Sequence, residues 1–245
     1  MRCALAAVGF INENIEKNKS TIIETMIKCS GEADVVIFGE AFLQGFYGAN
    51  FCEEHDAEIA VSKDSQVISE IQSAARNYAI AVSFGFIEKE EDCFYSSQIT
   101  IDKKGEVLNL YRRVSHGWKE CFAGEKYREG SCFNTFIFEN KKVTVALCGD
   151  LWDTENIYKI NALNPDVIWW PVYTDFNFND WNSSVKNDYA RQAGKLQAPV
   201  LYVNSLCIDK ADEEEIAKGG ALLFDRGAIK EEIASGKDGI LMVEC

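Results

Sequence analysis

Proline is nearly missing from this chain, three residues in 245, and no stretch rich in glycine, serine or proline interrupts it. A flexible linker is therefore excluded by composition, and one domain spanning residues 1–245 is expected, a length that suffices for one large core. Apolar runs long enough to cross a bilayer are absent, and the short apolar start MRCALAAVGF passes at once into amides and acids. It reads as a first core strand, not a signal peptide or membrane anchor. Basic residues are in deficit, 25 against 39 acidic ones, for a net charge of -14. Nucleic acid and anionic membrane surfaces are poor partners for such a surface. Acidic clusters such as Glu90-Glu91-Asp92 and Asp212-Glu213-Glu214-Glu215 read as solvated loops, not cation sites. None of the nine cysteines forms a C-x-x-C pair and their number is odd. That excludes zinc-ribbon and thioredoxin-like readings. Most of the cysteines are expected to be small buried hydrophobes in a reducing compartment, the cytoplasm.

What is present alternates. CALAAVGF (3–10) reads as a strand, followed by a helix that carries Ile15, Ile22, Ile23, Met26 and Ile27 on one face and stops at Gly31. DVVIFGE (34–40) is a continuous apolar strand, to be covered on both faces. A second helix buries Val67, Ile68, Ile71, Ala74, Ala75 and Tyr78 before the strand IAVSFGFIE (80–88). Hairpins then join SSQITI to EVLNLYRR and FNTFIFE to VTVALC. DVIWWP and PVLYVNS flank the helix SVKNDYARQAGKLQ, and a last hairpin runs from GGALLFD to GILMVEC. The expected fold is α/β, a layered sandwich with mixed sheets inside and helices outside.

Polar groups stand where the apolar strands end: Glu40 after VVIFG, Arg112-Arg113 after VLNLY, Cys148 after VTVAL and Tyr173 after IWWPV. Strand ends are where open α/β folds assemble sites. A cysteine with a carboxylate and a fixed cation supplies a thiolate nucleophile, a general base and an oxyanion stabiliser. With two histidines in the chain, a Cys-His pair would need His55 or His116, and neither lies in a segment like those of papain-like enzymes.

FGEAFLQGF and CGDLWDTE, with Ala190-Arg191-Gln192-Ala193, PVLYVN and GGALLFDRGAI further on, resemble segments of the nitrilase superfamily of carbon-nitrogen hydrolases over nearly the whole chain. The resemblance implies a four-layer α-β-β-α sandwich with two mixed sheets, and a homodimer or higher homo-oligomer. It makes Glu40 the base and Cys148 the nucleophile, with no metal and no organic cofactor, acting on a small non-peptide amide through an acyl-thioester. Glu125, five positions before Gly130, matches the family's additional acidic residue, with Glu120 a rival. Where the family carries lysine, this chain has Arg113. Arginine keeps the charge but is planar, bulkier and not deprotonated. Lys119 is the alternative cation. The Gly149 amide is expected at the oxyanion, and Tyr47, Trp152 and Tyr173 are candidates to line the pocket. Because the lysine is missing, a non-catalytic metabolite-binding or assembly member of the same fold stays open, as does an acyltransferase using the same thioester.

Overall fold

The computed structural model describes residues 1–210, 213 and 216–245; three members of the Asp212–Glu215 cluster lie outside the described residues. The first sheet has the order β14-β1-β3-β4-β5-β6, built from β1 (Arg2–Ala7), β3 (Val35–Ile37), β4 (Ala81–Glu90), β5 (Cys93–Ile101), β6 (Val107–Arg112) and β14 (Gly239–Glu244). The second has the order β13-β12-β10-β9-β8-β7, from β7 (Phe136–Phe138), β8 (Lys141–Val145), β9 (Val167–Val172), β10 (Val200–Asn204), β12 (Ala221–Asp225) and β13 (Ala228–Ile233). A short pair, β2 (Gly9–Phe10) with β11 (Leu206–Cys207), runs parallel beside them. Each large sheet is mixed. Its central three strands are parallel, β1-β3-β4 in one and β8-β9-β10 in the other, and its outer strands are antiparallel. Parallel strands buried on both faces explain the unbroken apolar runs DVVIFG and DVIWWP.

Alternation along β1 sets the layers. Cys3, Leu5 and Ala7 pack with Val145, Val172 and Leu201 of the other sheet, whereas Ala4 and Ala6 pack with Ile22, Met26 and Ile71. Those last residues belong to α1 (Ile15–Cys29) and α3 (Gln66–Tyr78), which cover the outer face of the first sheet. Asn14 caps α1 by accepting from the Lys17 amide. On the other side α4 (Thr154–Ala162) and α6 (Lys186–Ala193) contribute Ile157, Ile160, Tyr189 and Ala193 to the core of the second sheet. The architecture is a four-layer α-β-β-α sandwich. A short helix, α2 (Glu53–Ile59), and a one-turn helix, α5 (Phe178–Asp180), are the other α-helices among the described residues, α5 leading through a π-helical stretch, Trp181–Val185, into α6.

Three expectations are corrected. GGALLFD and GILMVEC are not hairpin partners: β12 turns into β13, and β14 crosses to the first sheet to pair with β1, Arg2 opposite Glu244. The sequence AIKEEI of β13 is largely exposed, so it carries no apolar signal. Ile27 and Tyr78 are 45% and 37% exposed at the ends of their helices. Of the nine cysteines, all free, only Cys3, Cys29 and Cys207 are buried, while Cys52, Cys121 and Cys132 are exposed on loops or helix starts.

Candidate active site

The two sheets meet at the ends of their central strands. After β3 the chain passes Gly39, whose amide donates to Ser205 Oγ at 3.1 Å. A Cβ at Gly39 would stand 2.6 Å from that oxygen and 2.9 Å from the Val172 carbonyl, so only glycine lets the first sheet approach the second this closely. Glu40 follows. Its amide donates to the Val172 carbonyl, fixing the carboxylate between the sheets, 1% exposed. Glu40 Oε1 accepts from Ser96 Oγ at 2.8 Å and from Arg113 Nη1 at 3.0 Å. Glu40 Oε2 is buried and has no partner among the described residues.

Arg112 and Arg113 leave the end of β6 on opposite sides, as strand alternation requires. Arg112 forms a bidentate pair with Glu88, reaches Glu90, and lies 3.9 Å above the Tyr95 ring. Arg113 turns inward to Glu40 and is 4% exposed. Its Nε donates to Ser115 Oγ at 2.9 Å and its Nη2 to the His116 carbonyl at 3.1 Å. Burial opposes the charge, but the neighbouring Glu40, Cys148 and Asp150 outweigh it, so the guanidinium is held cationic.

Cys148 begins a 3-10 turn, Cys148–Trp152, directly beyond β8. Its φ of 39 is left-handed, a strained conformation for a side-chain-bearing residue that turns the sulfur out of the strand. The residue is partly exposed, its Sγ donates to the Tyr173 carbonyl at 3.4 Å, and its own carbonyl accepts from Trp170 Nε1 at 2.8 Å. Burial of the sulfur, then the negative Glu40, push the thiol up to about 12, with Arg113 pulling the other way. The turn is held by Asp150, which no amphipathic pattern singles out. This buried carboxylate accepts from the amides of Leu147, Val114 and Ser115 at 2.7, 3.1 and 2.7 Å and from Tyr111 OH at 2.6 Å. It ties the Cys148 turn to the end of β6.

Glu40, Arg113 and Cys148 thus converge, with Gly149 against the guanidinium. Glu125 does not join them. The segment after it runs alongside β5 through a Phe94–Tyr127 bridge, and Glu125 sits in the preceding turn, exposed, its carboxylate unpaired among the described residues. Glu129 is the acid that turns toward the loop after β6, 3.1 Å from Lys119 and 3.3 Å from His116. Burial pushes its pKa up, but the bonds from Lys119 and His116 leave it lowered. Lys119 also donates to the Tyr127 carbonyl, and among the described residues its ammonium is hydrogen-bonded to neither Glu40 nor Cys148. Glu120, the rival acid, is exposed. Tyr47 stands edge-on to Tyr173, and Phe46 stacks on the same ring at 4.4 Å. Trp152, 46% exposed, meets Tyr189 edge-on at 4.9 Å. Tyr189, Ser96, Ser115 and Asp150 are the site residues that sequence reasoning passed over. Of these, Asp150 alone carried a signal, standing two residues after the cysteine.

A thiol, a carboxylate and a cation are thus brought from separate strand ends to one place between the two face-packed sheets of an α-β-β-α sandwich. A family model described as carbon-nitrogen hydrolase matches residues 8–227, and the chain belongs to that family, whose chemistry is hydrolysis at non-peptide carbon-nitrogen bonds. An (R)-stereoselective amidase of Pseudomonas sp is 23% identical over 208 residues, 85% of this chain and 71% of that protein. Among solved structures, glutamine-dependent NAD+ synthetase from Acinetobacter baumannii superposes with a TM-score of 0.81 at 21% identity, over 98% of this chain and 44% of that one. A mutant of the amidase from Nesterenkonia sp. AN1, showing the result of Michael addition of acrylamide at the active site cysteine, gives 0.76 at 17% identity over 100% and 93%.

Proposed function

We propose that the protein hydrolyses a small non-peptide amide through an acyl-thioester on Cys148. The observation that carries this reading is the Glu40 carboxylate: Arg113 and Ser96 hold one oxygen, while the other is buried, unpartnered and close enough to the thiol to oppose its ionisation. Such an oxygen is a proton acceptor waiting for the thiol. A thiol pushed up to about 12 is not a resident thiolate, so proton removal accompanies attack. Sulfur bonds to the amide carbon as its proton passes to Glu40, and Arg113, with the Gly149 amide, balances the charge that develops on oxygen. Glu40 returns the proton to the nitrogen, the carbon-nitrogen bond breaks, and ammonia or an amine leaves. Water then attacks the thioester with Glu40 again taking the proton, and the carboxylic acid departs as the thiol re-forms. The residues in this sequence need neither a metal ion nor an organic cofactor.

The relatives named as amidases support an amide as substrate. We place the whole cycle in a single domain over residues 1–245, in the cytoplasm, where nine free thiols are at home, and in a homodimer or higher homo-oligomer. A second reading, a metabolite-binding member without turnover, draws on the same pair: Arg113 spends a donor on Glu40, where a lysine would be freer. An acyltransferase differs only in the group that accepts the thioester.

The test is intact-protein mass spectrometry and ammonia release with a panel of small amides. Wild type should show a covalent acyl adduct that Cys148→Ala lacks. Arg113→Ala should lose about 10²–10³ in turnover, the cost of one charge-assisted oxyanion donor, whereas Lys119→Ala should lose little. Full activity in Arg113→Ala sinks that assignment, and silence across the panel favours the binder.

A further inference from the structure

Gly149 has no conformational reason to be glycine, because its φ lies outside the left-handed range that claims eight other glycines here. Its reason is space. A Cβ at this position would stand 2.6 Å from Arg113 Nη2 and 2.9 Å from Ser115 Oγ, both closer than non-bonded atoms approach. A flexible side chain ordinarily yields to such an intrusion. Arg113 is 4% exposed and tethered at three nitrogens, to Ser115 Oγ, Glu40 Oε1 and the His116 carbonyl, so it cannot move without breaking these bonds. Of the five N–H groups of a guanidinium, three are used in this way among the described residues.

We propose that Gly149 is a positioning residue for Arg113: the missing side chain after the nucleophile is the recess that admits a guanidinium beside Cys148. Lysine ends in a compact ammonium without a second arm and would not fill this recess. The arginine and the glycine are therefore one adaptation, in which a bulkier cation is accepted because its neighbour is reduced to a hydrogen. The inference rests on the reading of Arg113 as the site's cation, but it concerns geometry and can be tested without turnover.

The test is a cycle of wild type, Gly149→Ala, Arg113→Lys and the double variant, read by the rate at which iodoacetamide alkylates Cys148 at mildly alkaline pH, with peptide mapping, and by thermal unfolding. Displacing the guanidinium removes the cation that lowers the thiol pKa, so Gly149→Ala should slow labelling about tenfold. In the Arg113→Lys background the same change should alter the rate by less than about twofold, because the clash is gone. An equal loss in both backgrounds, or none in wild type, overturns the proposal. Should Gly149→Ala fail to fold, Arg113→Lys should restore folding in the double variant, and a double variant that stays unfolded also overturns it. Coupling in this cycle with no acyl adduct from any amide would leave the inference standing and remove the hydrolase reading.

Discussion

At the scale of single residues the site is an argument over one proton. Cys148 keeps it, because burial and the negative Glu40 raise the thiol from its ordinary 9.0 to about 12 against the pull of Arg113. A raised pKa means that the thiolate fraction is small at neutral pH and grows until the pH reaches the shifted value. Labelling of Cys148 by iodoacetamide should therefore keep rising with pH past the range, about 8.5–9, where glutathione as a reference thiol begins to level off. A plateau below that range would mean that Arg113 outweighs both burial and Glu40. Which of two adjacent arginines faces Glu40 was read from the family resemblance, and strand alternation is the physical reason for it: β6 sends Arg112 to Glu88 and Arg113 to Glu40.

At the scale of elements, the turn that begins at Cys148 and the end of β6 are joined by Asp150. Asp150→Ala leaves three amides and the Tyr111 hydroxyl without their acceptor. It should cost about 3–5 kcal/mol in urea unfolding, as expected for stripping one partner from a buried polar network. A loss below about 1 kcal/mol would show that water or backbone shifts replace it. Element boundaries explain what the sequence could and could not convey. Glu40 and Cys148 were legible because each follows a mostly apolar run, VVIFG and VTVAL, and hydropathy marks such ends. The acid of the loop after β6 was not, since Glu125 and Glu129 lie in irregular chain and differ only in which side of the Phe94–Tyr127 bridge they fall. Ser96 was hidden for another reason: it is buried in the middle of β5, where nothing in the pattern separates a hydroxyl that serves a carboxylate from one that merely packs. Strand β13 escaped because an exposed edge strand has the composition of a loop.

At the scale of the whole molecule, the outer helical layers are where a second copy would rest. Tyr158 on α4 is 70% exposed, with Trp152 just before the helix at 46%, and twofold pairing is the commonest assembly of soluble chains. Light scattering should return a species of at least twice 27.5 kDa at micromolar concentration, and Tyr158→Glu should reduce it. A wild-type particle of 27.5 kDa throughout the range would reject the pairing. The crossing of β14 to the far side of β1 has a consequence in time. On a ribosome β1 emerges before β14, yet one of its two edges stays open until β14 arrives behind the strands that lie between them in the chain. Long-range pairing of this kind is slow, and an open edge can pair with another chain meanwhile. The interval in which a nascent copy is most prone to cling to its neighbours therefore spans the synthesis of every strand between β1 and β14, and a holding chaperone would have that edge to cover.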